Sequence, residues 1–142
     1  MVLPDVNILV YSHRPDSIHH TRINGWLRNV LGSDQAFGMS SLVLSGFLRV
    51  VTNPKAFRFP TPLPEAFAFI AAIRNRPNCV LIEPGPRHWS IFERLCQAVE
   101  AKGNLVPDAY FAALAIESSC RWISTDSDFG LFSELRWHNP LQ

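Results

Sequence analysis

Three aspartates carry the chemistry open to this sequence: Asp5 in MVLPDVNILVYS, Asp108 in NLVPDAYFAALAIE and Asp126 in STDSDF. Asp5 interrupts an apolar run and has no basic neighbour. An unpartnered buried carboxylate costs several kcal/mol, so Asp5 asks either for a turn that exposes it or for a cation beside it. Both readings meet if it lies at the carboxyl end of a first parallel strand, where open α/β sheets place ligands. Pro4, which lacks a ladder donor, suits such a strand end. The strand CRWIST would then present Asp126 on the same rim, and the helix opened by Pro107 would carry Asp108 toward it. Like charges gathered there force a proton onto one of them unless a cation intervenes. A hard divalent ion with oxygen ligands, Mg²⁺ or Mn²⁺, suits the cluster best.

Each acid also has a plainer explanation. Asp108 sits just after Pro107, where a carboxylate complements a helix dipole. Asp126 or Asp128 can cap the turn before Phe129. Asp5 is harder to explain away, because a buried strand needs no cap. Asn7 can orient Asp5 or cap a following turn. His13, His19, His20, His88 and His138 show no ligand spacing and read as surface residues or phosphate contacts. Basic and aromatic residues interleave from His13 to Arg28 and at Lys55, Phe57, Arg58 and Phe59. That pattern suits an RNA backbone with stacked bases, and equally suits phenylalanines plugging a core beside solvated cations. Trp26, Trp89, Trp122 and Trp137 read as core or interface anchors.

The elements that must position the acids alternate along the chain. Val2 and Leu3, then Val6 and Ile8 to Val10, form the continuous apolar run of a buried parallel strand and the segment continuing it. Ile23, Trp26, Leu27, Val30 and Leu31 recur at helical spacing, and Gly32 stops that helix. A short strand follows at Ala36 to Met39. Ser40 or Ser41 then caps a helix through SLVLSGFLRVV, which Asn53 and Pro54 end. The proline-rich KAFRFPTPLP is a connector into a helix begun near Pro64. NCVLIEPG is the next strand, Ser90 to Ala101 a helix, and Pro107 to Cys120 another. In that last helix Ala109, Ala112, Ala113 and Ala115 form a small-residue surface that lets it lie close to a sheet. CRWIST and ELRWHN are the remaining strands. This order implies βαβ units and a three-layer α/β/α sandwich with a mostly parallel central sheet.

Composition narrows the function classes. The 142 residues, 47% apolar and 18% charged, suit one globular domain spanning 1–142. A net charge of +1 excludes a global polycation, so any nucleic-acid contact must be local. Cys79, Cys96 and Cys120 are widely spaced and odd in number, which fits neither a disulfide framework nor a zinc cluster. A reducing, cytoplasmic setting follows. No run reaches the roughly 20 apolar residues of a membrane span, and the first residues lack the form of a signal peptide.

Four segments, PDVNILVYS, SSLVLSGFLRVVTNP, NLVPDAYFAALAIE and STDSDF, together resemble the PIN-domain family, in particular the VapC-type ribonuclease toxins of bacterial toxin–antitoxin pairs. They occur in the family's order and span nearly the whole chain. The resemblance implies a Mg²⁺-dependent cut of RNA, a small VapB-type antitoxin as partner and a homodimer. It matches Asp5, Asp108 and Asp126 to the family's metal-binding acids. Asp128 reads as a turn residue. Helix faces around Phe47, Phe67 and Phe69 are candidate groove or dimer surfaces, and core packing explains them equally well.

The chain departs from the pattern at Gly46, where many PIN domains carry a Glu. A helix-interior Gly costs roughly 1 kcal/mol relative to Ala, so a close approach is expected there, to metal, to substrate phosphate or to a packed neighbour. Glu117 lies nine residues beyond Asp108, roughly 13 Å along a helix, too far to replace the missing carboxylate. Two other readings remain: a degenerate PIN-like module that binds RNA or protein without cutting, and a phosphotransfer domain of the haloacid dehalogenase or receiver type. The second wants another acid near Asp5 and a late-strand Lys, whereas this chain has Asn7 and a Lys102 before a loop.

Overall fold

The run after Asp5 coils instead of extending. In the computed structural model, which describes residues 1–142, strand β1 is only Val2–Pro4 and helix α1 takes Val6–His13. Ile8, Leu9, Val10 and Ser12 of α1 are all buried. A helix covered on most of its surface shows no amphipathic stripe, which is why its sequence mimics a strand. The other expected elements form close to their anticipated places. They are α2 (His20–Leu31), β2 (Phe37–Met39), α3 (Ser41–Val51), α4 (Leu63–Arg74), β3 (Cys79–Leu81), α5 (His88–Val99), α6 (Leu105–Glu117), β4 (Arg121–Ile123) and β5 (Trp137–His138). A 3₁₀ turn occupies Ser127–Leu131, between β4 and β5.

Every strand pairing is parallel. β4 lies between β1 and β5, with Leu3 opposite Trp122 and Trp122 opposite Trp137. β2 pairs with β3, and Gly38 brings β2 against β1: a Cβ at Gly38 would lie 3.4 Å from the Val2 carbonyl and 2.9 Å from Ile82. Helices cover the strands in two groups. α1 packs on α2 and α3, and α3 on α4, while α5 packs on α6, which also contacts β4. Ala109, Ala112, Ala113 and Ala115 of α6 are fully buried. Their small side chains leave room for Trp122, itself fully buried and stacked on Phe111 at 5.2 Å.

The remaining aromatic and basic residues divide between inside and outside. Arg14 is buried. It donates to both Asp16 oxygens (3.0 and 2.7 Å), to the Phe59 carbonyl (2.8 Å) and to Thr61 Oγ1 (3.1 Å), and it covers the Phe57 ring at 4.1 Å. One guanidinium thus ties the 53–62 connector to the end of α1, while Phe59 stays exposed. Phe47 is fully buried and Phe69 packs on it at 5.0 Å, so of the three candidate surface phenylalanines only Phe67 faces solvent. His88 is likewise no surface residue. It is buried, and its Nε2 donates to the Tyr110 carbonyl at 2.9 Å.

Gly46 has the packed neighbour that its position in a helix interior called for. A Cβ there would sit 2.7 Å from Val6 Cγ2, so α3 crosses α1 on bare backbone at this point. Val6 is β-branched and stiff, and cannot swing aside cheaply. Gly46→Ala should therefore destabilise the fold by about 1–3 kcal/mol despite the gain in helix propensity. Adding Val6→Ala should recover part of the loss in a double-mutant cycle read by thermal or urea unfolding. A net stabilisation by Gly46→Ala alone would show that the contact with Val6 is not what holds glycine there.

Candidate active site

Asp5 is the residue at which strand becomes helix, so its role as a cap was missing from the sequence reading. Its N–H donates to the Ile123 carbonyl at 2.9 Å, extending the ladder with β4 by one residue. Its carboxylate then caps α1, Oδ1 accepting from the Val6 N–H at 2.6 Å. The other oxygen, Oδ2, accepts from the Ser124 hydroxyl at 2.7 Å and from Asn7 Nδ2 at 3.2 Å. Asn7 thus orients Asp5, as one of its two readings anticipated. Capping does not remove Asp5 from the site. A carboxylate has acceptor capacity for more than these three donors.

Ser124 is the residue that the sequence reading missed. Fully buried one position beyond β4, it donates to Asp5 and accepts from Asn7 Nδ2 at 3.0 Å and from the Asp126 N–H at 3.1 Å. Asn7 Oδ1 also accepts from the Thr125 N–H at 3.3 Å. The one available signal was a serine at the carboxyl end of a parallel strand, two residues before an acid.

Asp126 caps the 3₁₀ turn, its Oδ1 accepting from the Asp128 N–H at 2.9 Å. This satisfies the capping explanation and at the same time swings Asp128 toward the rim. Asp108 projects from the first turn of α6. Carboxylate oxygens of Asp108, Asp126 and Asp128 lie within 4.8 Å of one another. Asp5 lies outside that tightest group, but near enough for Asp108 and Asp126 to act on its charge. Asp128, first read as a turn residue, therefore belongs geometrically to the acidic cluster. Glu117 does not. Its carboxylate accepts from the Gly85 N–H at 2.7 Å and the Arg87 N–H at 2.9 Å, pinning the loop before α5.

The electrostatics follow from crowding. Burial pushes Asp5 up to about 6, opposed by the hydrogen bonds from Ser124 and Val6 and reinforced by the charges on Asp108 and Asp126. Burial also pushes Asp108 up to about 6, with Asp126 and Asp128 adding to it. The only ion pairs in the molecule, Arg14–Asp16 and Arg94–Glu134, involve none of these acids. An all-oxygen set lacking an internal cation is the donor set a hard divalent ion takes.

The PIN domain family matches residues 2–135. Ribonuclease VapC43 of Mycobacterium tuberculosis is 40% identical over 141 residues, 99% of this chain and 96% of that protein. Ribonuclease VapC25 of the same organism is 39% identical over 140 residues, 99% of each chain. The crystal structure of VapBC2 from Rickettsia felis, bound to a DNA fragment from its promoter, superposes with a TM-score of 0.73 over 98% of each chain at 17% identity.

The raised carboxyl groups imply a pH dependence. Asp5 binds its proton more tightly folded (about 6) than at the ordinary 3.8, so stability from this group grows as pH falls from 7 toward 5 and is lost as pH rises through 6. His13, held below its ordinary value mainly by burial, works in the opposite direction. In chelator, wild type should therefore gain on the order of 1–3 kcal/mol relative to Asp5→Asn between pH 7.5 and 5. Melting curves of both proteins at each pH measure the difference, and parallel curves would refute it.

Proposed function

The chain belongs to the PIN-domain family, and from that premise we propose that it is a divalent-metal-dependent endoribonuclease of the VapC toxin type. The observation that carries this reading is the meeting of Asp108, Asp126 and Asp128 within 4.8 Å, beside a buried Asp5. The names of the relatives that match along nearly the whole chain, Ribonuclease VapC43 and Ribonuclease VapC25, support it.

In this proposal Asp5, Asp108 and Asp126 hold Mg²⁺, or Mn²⁺ in its place, and Asp128 supplies the further carboxylate that residue 46 lacks. A bound ion of this kind polarises a phosphoryl oxygen and lowers the pKa of a coordinated water for attack on RNA. The chain's own contribution is placement. Ser124 and Asn7 hold the Asp5 carboxylate in one orientation. The Asp126 cap sets the turn that presents Asp128. Burial of Asp5 strengthens its attraction to any cation at the rim. No histidine lies in the acidic cluster, and the proposed chemistry requires none.

The partner in this reading is a VapB-type antitoxin, the solved neighbour being a VapBC complex. Its apolar segment would lie on a surface such as that of Phe67 and Leu81, which are 51% and 53% exposed, with a basic side chain reaching the acids. We place the protein in the cytoplasm as a homodimer. No helix is long and apolar enough to cross a membrane. Gly46 favours one other reading, a PIN module that binds RNA without cutting it.

Asp5→Asn and Asp108→Asn should each lower RNA cleavage by at least about 100-fold, since even losing a residue that orients a metal ligand costs about 10–100-fold. Ser124→Ala should fall within that smaller range and be partly rescued by excess Mg²⁺. The assay is cleavage of a labelled RNA with Mg²⁺ and with chelator, beside circular dichroism of each variant. Cleavage that persists in chelator, or that Asp108→Asn leaves unaltered, refutes the metal site. RNA binding without cleavage by the wild type in Mg²⁺ and Mn²⁺ establishes the non-catalytic reading.

A further inference from the structure

The acids occupy the carboxyl ends of the strands, and the amino ends carry a second feature of opposite sign. A cavity of about 400 Å³ opens there, lined among others by Trp26, Asn29, Gln35, Phe37, Arg121 and Arg136. No carboxylate lines it. The two arginines are brought together by register. β4 opens with Arg121-Trp122, Arg136 immediately precedes Trp137 at the start of β5, and Trp122 pairs with Trp137, so Arg121 and Arg136 stand side by side one step earlier. The Trp122 N–H donating to the Arg136 carbonyl at 2.8 Å locks that alignment.

Side chains alternate faces along a strand. Trp122 stacks on Phe111 of α6, so Arg121 is directed to the opposite face, where α2 supplies Trp26 and Asn29. Like charges side by side on neighbouring strands destabilise a sheet. Neither guanidinium has a carboxylate to offset this. Arg136 donates only to the Ser119 carbonyl, and Arg121 makes no side-chain hydrogen bond or ion pair.

We propose that this cavity binds a nucleoside monophosphate unit, its phosphate held by the Arg121 and Arg136 guanidiniums and its base placed against the Trp26 indole. The planar forks of two arginines match phosphate oxygens, and an indole face accepts any base. Asn29 and Gln35 carry both donors and acceptors for a base edge or ribose. The volume lies in the range of small-ligand sites. The unit can be a free nucleotide or a residue of a single-stranded RNA. The cavity stands at the opposite edge of the sheet from the acids, so this site does not depend on the proposed nuclease activity.

Isothermal titration calorimetry tests it with 5′-AMP and with a single-stranded RNA hexamer, both in chelator. The proteins are the wild type, Arg121→Ala, Arg136→Ala, Trp26→Leu and Asp108→Asn. Each arginine variant should lose about tenfold in affinity, and binding should weaken with added NaCl. Trp26→Leu keeps apolar packing and should still lose affinity, whereas Asp108→Asn should bind 5′-AMP as the wild type does. Because both arginines are exposed, their variants should fold, and Arg121→Gln repeats the test should Arg121→Ala not. AMP binding alone identifies a free-nucleotide site, hexamer binding alone an RNA-strand site, and binding of both a site for the shared unit. Absence of binding by either ligand, or arginine variants that bind as tightly as the wild type, overturns the proposal.

Discussion

The 2.7 Å hydrogen bond from the Ser124 hydroxyl to Asp5 is the contact on which the acidic rim depends. A serine hydroxyl has one proton to give. By giving it to Asp5, Ser124 is left to accept, and it does so from Asn7 and from the Asp126 backbone. One buried oxygen thereby sets the position of an acid on the first strand and the path of the chain that delivers two more. The charge on Asp5 makes the bond stronger than a neutral one, and leaving either group alone in so buried a place would cost about 1–3 kcal/mol. At Asp5 the hydrogen bond from Ser124 opposes the repulsion of the Asp108 and Asp126 charges.

The two ends of the sheet share a logic. Parallel strands deliver corresponding residues to one edge, so short sequence patterns become clusters without any long-range design. On the carboxyl side the residues after β1 and β4 are acids and their hydroxyl and amide supports. On the amino side the residues opening β4 and preceding β5 are arginines. The resulting molecule is close to neutral overall, with +1 formal charge, yet it gathers acids beyond one end of its strands and two arginines at the other. Net charge therefore described the whole molecule accurately and each of its surfaces poorly.

Much of the architecture was legible because caps and stops are local. Ser40 capping α3 through the Leu42 N–H, Gly32 ending α2, and the buried alanines of α6 all follow from residue type and spacing. The failures share a cause, which is dependence on a distant neighbour. Asp5 reads as a strand residue until α1 is known to be buried nearly all round. Asp128 reads as a turn residue until Asp126 is seen to bend the chain around it. Ser124 is marked only by its place two residues before an acid, since its significance lies in a partner 119 residues away. His88, which reads as a surface residue, and Phe47, which suits a groove or the core equally, are buried by helices that pack only in three dimensions.

That separation also has a temporal meaning. Asp5 is made well before Ser124, Asp126 and Asp128, which follow it by 119 to 123 residues. Contacts between such remote segments form late, because the intervening chain must first be ordered. During synthesis, domains assemble as units from the amino end, so a nascent or prematurely ended polypeptide would hold Asp5 without its hydroxyl donor and without two of its companion acids. Completion of the acidic rim is thus tied to synthesis through Asp128, and a ribosome making this protein would carry no finished rim until that residue had emerged.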